Sequence, residues 1–412
     1  MISFRPISIS LSPNTETDDV WLAFRLIFQP WLWISGRAPE RLEERFKEYI
    51  GLKHAFSFNS GRSSFLAVLS ALELDKGSEI LLQAFTCNAA CNPVIWSGLK
   101  PVYVDCSEDT FNIDTEDLKR KITKNSRAVV VQHTFGLPAD LDEVLDICRE
   151  NNLILIEDCA HSLGAEYKGR KVGNFGKVSF FSFSRDKVIS SVYGGMAATN
   201  DDELAERIKE YQIKSGFPSP LWILQQIVHP VSMNWKILPT YRFFGKYLLV
   251  LAQKINFLSK AVIKKEKKGL KPGYFPKRMP SGLAILADNQ FKKVDRFNSH
   301  RKKIAEFYKK ELIGTPFKLP SESDQIYLRF VLKHKEAHDI IKKAWKLNLL
   351  IGDWYTFPIV PPDTDLDKMG YVLGSCKTAE RLSKETFNLP THINISKEQA
   401  RVVVNFLKSL NY

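Results

Sequence analysis

The stretch FSFSRDK, residues 181–187, decides how the rest of the chain is read. Aromatic residues at 181 and 183 alternate with serines at 182 and 184, and the run ends on Lys187. Such alternation reads as a β-strand. The end of a strand inside an α/β protein favours an apolar residue, so Lys187 raises two readings. Either it is a solvated charge at a sheet edge, or its amine is held near the sheet for chemistry.

Working outward, the neighbouring segments repeat a strand-then-helix rhythm. HAFSFN (54–59) runs into the helical pattern SGRSSFLAVLSALEL (60–74). SEILLQAF (78–85), KPVYVDC (100–106), SRAVVVQHTFG (126–136), LILIEDCAHS (153–162), KVSFFSFS (177–184) and YGGMAATN (193–200) are short β-rich runs bounded by Gly, Pro or charge. LDEVLDICREN (141–151) spaces Leu141, Val144, Leu145 and Cys148 by three and four, which predicts a helix. Several of the strands are apolar on both faces, as a mostly parallel sheet covered by helices requires. The expected architecture is therefore α/β, a large domain with a mostly parallel doubly wound sheet, followed by a smaller C-terminal α+β domain. The boundaries expected are 1–211 for the large domain with an N-terminal arm, 212–275 for a basic and apolar helical insertion, and 276–412 for a connecting helix and the small domain. Leu283, Leu286, Phe291, Val294, Phe297 and Ile304 predict one long amphipathic helix over 281–312.

The insertion is unusual in composition. Ser215 to Trp235 holds no Asp, Glu, Lys or Arg, yet three prolines interrupt it, which excludes a membrane-spanning helix. Further on, Phe244, Leu248, Leu251, Ile255, Leu258 and Val262 follow spacings of four and three, and KKEKK (264–268) comes next. Two readings stand: an interfacial helix over 241–268 resting on anionic lipid, or a helix packed on its own protein or a partner copy. The whole chain of 412 residues carries 59 Lys and Arg against 46 Asp and Glu, a net charge of +13. That balance favours anionic partners, but no nucleic-acid motif accompanies it, and no nucleic-acid partner is expected. The six cysteines lack zinc spacing and read as reduced thiols, with no metal expected. MISFRPISIS at the start lacks the basic head and apolar run of a signal peptide, so the protein is expected in the cytoplasm, peripheral to the inner face of the membrane if 241–268 binds lipid.

Ligands of open α/β sheets bind at the carboxyl ends of the strands, and three features collect there. SGRSS (60–64) lies between a strand and a helix; Gly61 permits a tight turn, and Arg62 and Ser63 open the helix as a phosphate cradle. Such turns are common without a phosphate. LILIEDCAHS delivers Asp158 and then His161; a carboxylate there equally well caps a helix. FSFSRDK delivers Ser182 and Lys187. Together, an amine able to form an imine, an acid able to keep a ring nitrogen protonated, and a phosphate cradle are the parts that bind pyridoxal 5′-phosphate.

IEDCAHS through FSFSRDK, with GRAPERLEERFKEYIGLKHAFSFNSG, FTCNAACNPVIWSGLKPVYVDC, PKRMPSGLAIL and FNLPTHINISKEQA, resembles the DegT/StrS-type sugar aminotransferases, which have the aspartate-aminotransferase fold. The resemblance implies Lys187 as the Schiff-base lysine, Asp158 beside the pyridine nitrogen, His161 stacking on the ring, and Ser182 on the phosphate. It also implies a homodimer with Arg278 near the partner's site, glutamate as amino donor, and a nucleotide-sugar substrate. This chain departs from the pattern at several points. Arg62 replaces the usual Thr, Cys87 stands where an aromatic stacks on the cofactor's other face (Phe85 being the substitute expected), and Tyr193 replaces the Glu before the Gly-Gly turn. WYTFPIVP (354–361), with Tyr355, lacks a histidine, and Tyr193, Arg278 and Tyr355 are the expected substrate contacts. Relatives that dehydrate sugars carry histidine in place of the lysine, so Lys187 argues against that chemistry. The remaining rival is a catalytically altered member acting as a sensor or membrane-peripheral binding protein.

Overall fold

A computed structural model describes residues 5–320 and 325–410; the first four residues of the expected arm, 321–324 and the last two lie outside it. Seven strands form the central sheet: β1 (His54–Phe58), β2 (Glu79–Gln83), β3 (Lys100–Val104), β4 (Ser126–Gln132), β5 (Ile154–Asp158), β6 (Val178–Ser182) and β7 (Gly195–Thr199). Their spatial order is β1-β7-β6-β5-β4-β2-β3, and only β7 runs antiparallel to its neighbours. The strands are apolar on both faces because helices cover both. Leu81, Val129, Leu155, Phe181 and Met196 belong to one core, and their chain neighbours Leu82, Val130, Ile156, Phe180 and Ala197 belong to the other. That is the side-chain alternation of a strand expressed as two hydrophobic layers.

Seven helices position the cavity and its surroundings: α1 (Thr17–Ile27), α2 (Gly61–Ala71), α3 (Asn88–Trp96), α4 (Pro220–Ser232), α5 (Lys246–Lys254), α6 (Ser281–Phe291) and α7 (Val294–Leu312). The smaller unit pairs two antiparallel strands, Phe330–Lys333 and Thr386–Leu389, and packs around its own core with α7. The stripe expected over 281–312 is buried, but the helix is two helices, not one. The break at Lys292 and Lys293 has a tertiary cause. Lys293 reaches Glu16, Asp18 and Asp19 of the N-terminal arm, and Gln290 donates to Asn14 and Asp19, so the junction is bent toward α1.

The helix expected over 241–268 is also corrected. A π-helical turn, Tyr241–Gly245, leads into α5, which stops at Lys254 because Asn256 takes a positive φ of 61°. The stripe then splits: Phe244, Leu251 and Ile255 are exposed, whereas Leu258 is fully buried. KKEKK is not a uniform charged run either, because Glu266 is fully buried. α4 belongs to the body of the molecule, with Ile223 and Ile227 in the same core as the sheet.

Candidate active site

β5 ends on Glu157 and Asp158, two acids with opposite fates set by strand alternation. Glu157 turns into the protein, where it accepts backbone N–H groups of Gly173, Phe175 and Gly176 at 2.6–2.7 Å. Those donors and His133 hold its carboxyl below the usual range despite burial. Asp158 faces the other way, into a cavity of about 530 Å³. It accepts the Ala160 N–H at 2.9 Å, and burial raises its pKa to about 6.

Lys187 lines the same cavity, close enough that the charges of Lys187 and Asp158 act on each other. Burial lowers the pKa of the amine, and among the described residues no carboxylate lies within ion-pair distance of it. An amine with a lowered pKa and no fixed counter-charge gives up its proton more readily than a surface lysine, so more of it is available to act as base and nucleophile. Its Nζ lies 4.7 Å from the centre of the Trp354 ring.

The phosphate-cradle geometry is built by close backbone approach. Ser60 caps α2, accepting the Ser63 N–H at 3.0 Å. Ser182 pairs with Gly195 across β6 and β7, beside that helix start. A Cβ on Gly61 would lie 2.8 Å from the Ser182 Cβ, and one on Gly195 would lie 2.5 Å from the Gly61 nitrogen. The missing side chains let a serine hydroxyl and a helix N-terminus converge on one point, which attracts an anion. Gly195→Ala is therefore expected to destabilise the protein by about 3 kcal/mol, since the clash is with backbone rather than a flexible side chain. Urea denaturation measures it, and a loss under about 1 kcal/mol would contradict the packing described.

Other expected site residues are placed differently. Arg62 lines the cavity, but its guanidinium is committed to Glu266 and to the Ala261 carbonyl, over the Phe275 ring, rather than to a phosphate. The cause is electrostatic: fully buried Glu266 requires a cation. Ser63 spends its hydroxyl on Asn59 and does not line the cavity. Phe85 is fully buried in a cluster with Phe111, Phe135 and Tyr355, so it offers no platform to the cavity. Cys87 lines the cavity and caps α3 through its sulfur. Arg278 stands away from this cavity, bridged to Phe58 and lying over Phe217. Tyr193 and Tyr355 do line it; the Tyr193 hydroxyl donates to the Lys260 carbonyl at 2.6 Å.

His161 lines the cavity with both ring faces covered, stacked on Trp354 at 5.2 Å and near Phe135 at 6.1 Å. Its Nδ1 accepts the Phe135 N–H, which leaves the proton on Nε2, 3.3 Å from the Tyr355 hydroxyl. Burial holds the imidazole neutral. His161, the residue expected to stack on the cofactor ring, lies against Trp354 in the wall of this cavity.

Three residues escaped the sequence reading. Trp354 is one. Arg329 is another: only 2% exposed, it lies over the Trp354 ring and pairs with Asp186 at 3.3 Å. Its signal was an arginine inside the apolar strand pattern YLRFVLK. The third is Arg185. Its Nη2 donates to Ser259, its guanidinium lies 5.6 Å from the centre of the Tyr193 ring, and its buried Nε has no hydrogen-bond partner among the described residues. His229, buried on the same cavity wall, likewise has an unpartnered Nδ1.

With that geometry in place, comparison with known proteins is decisive. Residues 16–223 and 250–408 match the DegT/DnrJ/EryC1/StrS aminotransferase family. The chain belongs to this family. It is 27% identical over 389 residues to the GDP-perosamine synthase of Vibrio cholerae, with 92% of each chain covered. PseC of Helicobacter pylori, an aminotransferase involved in the biosynthesis of pseudoaminic acid, is similar over 98% of both chains with a TM-score of 0.76 and 21% identity. A Streptococcus pneumoniae chain solved in a PLP-form gives a TM-score of 0.77 at 20% identity, again over 98% of both chains. The protein is accordingly a pyridoxal-phosphate-dependent sugar aminotransferase of the aspartate-aminotransferase fold. The residues present suit that cofactor: the aminotransferase brings a glycine-built anion cradle, a buried acid and a counter-ion-free amine into one cavity.

Proposed function

We propose that this aminotransferase moves the amino group of glutamate onto a keto-sugar carried on a nucleotide. The reading rests on one observation above all: the cavity that holds Lys187 and Asp158 is also lined by Arg185, whose buried Nε has no hydrogen-bond partner among the described residues. When bound, pyridoxal phosphate supplies an aldehyde that accepts amino groups and a ring that draws electrons from the reacting carbon. Ser182 and the N–H groups at the start of α2 would bind its phosphate, with Arg62 fastened to Glu266 beside them and contributing no donor. Asp158 would be the acid that keeps a proton on the ring nitrogen. Lys187, whose pKa burial lowers, would carry the proton between the substrate carbon and the cofactor's aldehyde carbon. Trp354 and Tyr355, packed against neutral His161, would exclude water from the cavity, which Tyr193 also lines.

Arg185 supports the nucleotide-linked acceptor, because a buried guanidinium with an unpartnered Nε and no ion pair among the described residues gains from an anion that reaches it. The GDP-perosamine synthase relative agrees with such an acceptor. Losing one charge-assisted hydrogen bond costs about 1.5–3 kcal/mol, so Arg185→Met is expected to raise the KM for a nucleotide diphosphate-sugar roughly 10- to 100-fold, with the cofactor spectrum unchanged. A fall in cofactor affinity with KM intact would assign Arg185 to the cofactor phosphate and remove this support.

The same reading makes the enzyme a cytoplasmic homodimer. Arg278, which does not line its own cavity, is assigned to the partner's site. Sedimentation as a monomer at assay concentration would count against it. Residues 241–268 are assigned to the inner face of an anionic membrane.

A further inference from the structure

The family match leaves out residues 224–249. That segment and its neighbours have a charge pattern unlike the rest of the chain. From Tyr211 to Ala287, 77 residues hold thirteen Lys and Arg and a single acid, Glu266, which supplies +12 of the chain's total of +13. The one acid is buried against Arg62, so it neutralises nothing at the surface. Lys236, Arg242, Lys246 and Lys254 are exposed, and none makes a salt bridge with any described residue.

Large apolar side chains stand among these cations. Trp21, Phe28, Phe244, Tyr247, Leu251 and Ile255 are each more than half exposed. They come from elements in contact with one another. α1 packs on α4, and α4 runs into the π-helical turn Met233–Ile237, which touches both Tyr241–Gly245 and α5. Trp21 of α1 meets Trp235 edge-on at 5.1 Å, and Phe24 lies at the same distance from Trp235. The surface is thus assembled from the N-terminal helix and the inserted helices, not from a single amphipathic stripe. No helix among the described residues is long and apolar enough to cross a membrane.

We propose that this assembled aromatic and basic face docks the aminotransferase on a lipid bilayer bearing anionic headgroups. The proposal deepens the placement of residues 241–268 and is independent of the amino-transfer chemistry. Aromatic and leucine side chains with interspersed Lys and Arg, on short helices, match what the headgroup region accepts: rings and aliphatic ends below, cations at the phosphate level. A second copy of the chain fits less well. A two-fold contact sets each patch against itself, and two surfaces that each carry this cation excess repel. α5 presents Leu249 and Gln253 to the catalytic cavity and Tyr247 and Leu251 to the outside, so the docked helix walls the cavity as it lies on lipid.

The test uses the full-length, cofactor-loaded enzyme and sedimented vesicles of phosphatidylcholine alone or mixed with phosphatidylserine. Binding is expected on the mixed vesicles, weakened by salt, and at least tenfold weaker on the neutral ones. Lys236→Glu/Arg242→Glu/Lys246→Glu and, separately, Phe244→Ser/Leu251→Ser are expected to lose vesicle binding at least tenfold. Both should keep the wild-type cofactor spectrum, turnover and sedimentation coefficient. No binding by the wild type, or equal binding to both vesicles, overturns the proposal. So does a fall of Phe244→Ser/Leu251→Ser to a smaller species on sedimentation, which would assign the face to a partner copy. Because turnover is read in the same samples, failure of lipid docking is distinguishable from failure of the amino-transfer reading.

Discussion

Lys187→Ala is expected to fold and to bind pyridoxal phosphate, yet to lose the visible absorbance of a lysine-bound cofactor and at least about 10³-fold in turnover. Folding should survive because the amine makes no ion pair among the described residues, and the segment is held by its backbone. The Lys187 N–H donates to Ser184, and its carbonyl accepts from Asn14. Removing the side chain therefore deletes one proton carrier and leaves the loop in place. An added primary amine should restore part of the activity, which a collapsed cavity would not allow. An unchanged absorbance in this variant would sink the assignment of Lys187, and with it the roles given to Asp158 and Ser182.

Asp158→Asn should have two effects of opposite sign. Turnover falls by about 10²-fold or more, because an amide cannot stabilise a protonated ring nitrogen. The cofactor-free protein, however, becomes more stable than wild type at neutral pH. The Asp158 carboxyl titrates near 6 in the folded protein, against an ordinary value of 3.8. Between those values the folded state binds the proton more tightly than the unfolded one, so wild-type stability declines as pH rises from about 4 to about 6. The full difference corresponds to about 3 kcal/mol, and the asparagine variant does not incur it. Urea unfolding of both cofactor-free proteins across roughly pH 4–8 measures the gap. A gap that fails to open with rising pH would show that Asp158 is not buried as described. Loading the cofactor should close it, since a protonated ring nitrogen is the counter-charge the carboxylate lacks.

Much of this site was legible in the chain because its parts are local. A strand of period two must send Glu157 and Asp158 to opposite faces, whereas β6 stops at Ser182 and the turn that follows brings Lys187 into the same cavity. The N-cap serine and Gly61 announce a helix N-terminus, and that is where they lie. What was misread depended on distant partners. Arg62 looked like a phosphate donor, but Glu266, 204 residues away, is buried against it. The stripe over 241–268 has correct helical spacing, but Asn256 breaks it and Leu258 turns inward. Arg329 and Trp354 join the cavity from the C-terminal part of the chain, and no spacing rule connects them to Lys187.

By itself, then, the amino-acid order determined the layered α/β fold, the strand ends at Asp158 and Ser182, and the chemistry that these and Lys187, in the turn after Ser182, can perform. Periodicity and turn residues act over a few positions, and that is enough to orient side chains on one sheet. Only the tertiary structure decided which charges are neutralised and which are left bare. Glu266 claims Arg62, Asp186 claims Arg329, and the buried Nε of Arg185 is left without a hydrogen-bond partner among the described residues. Ion pairing depends on separation in space, and sequence distance does not encode it.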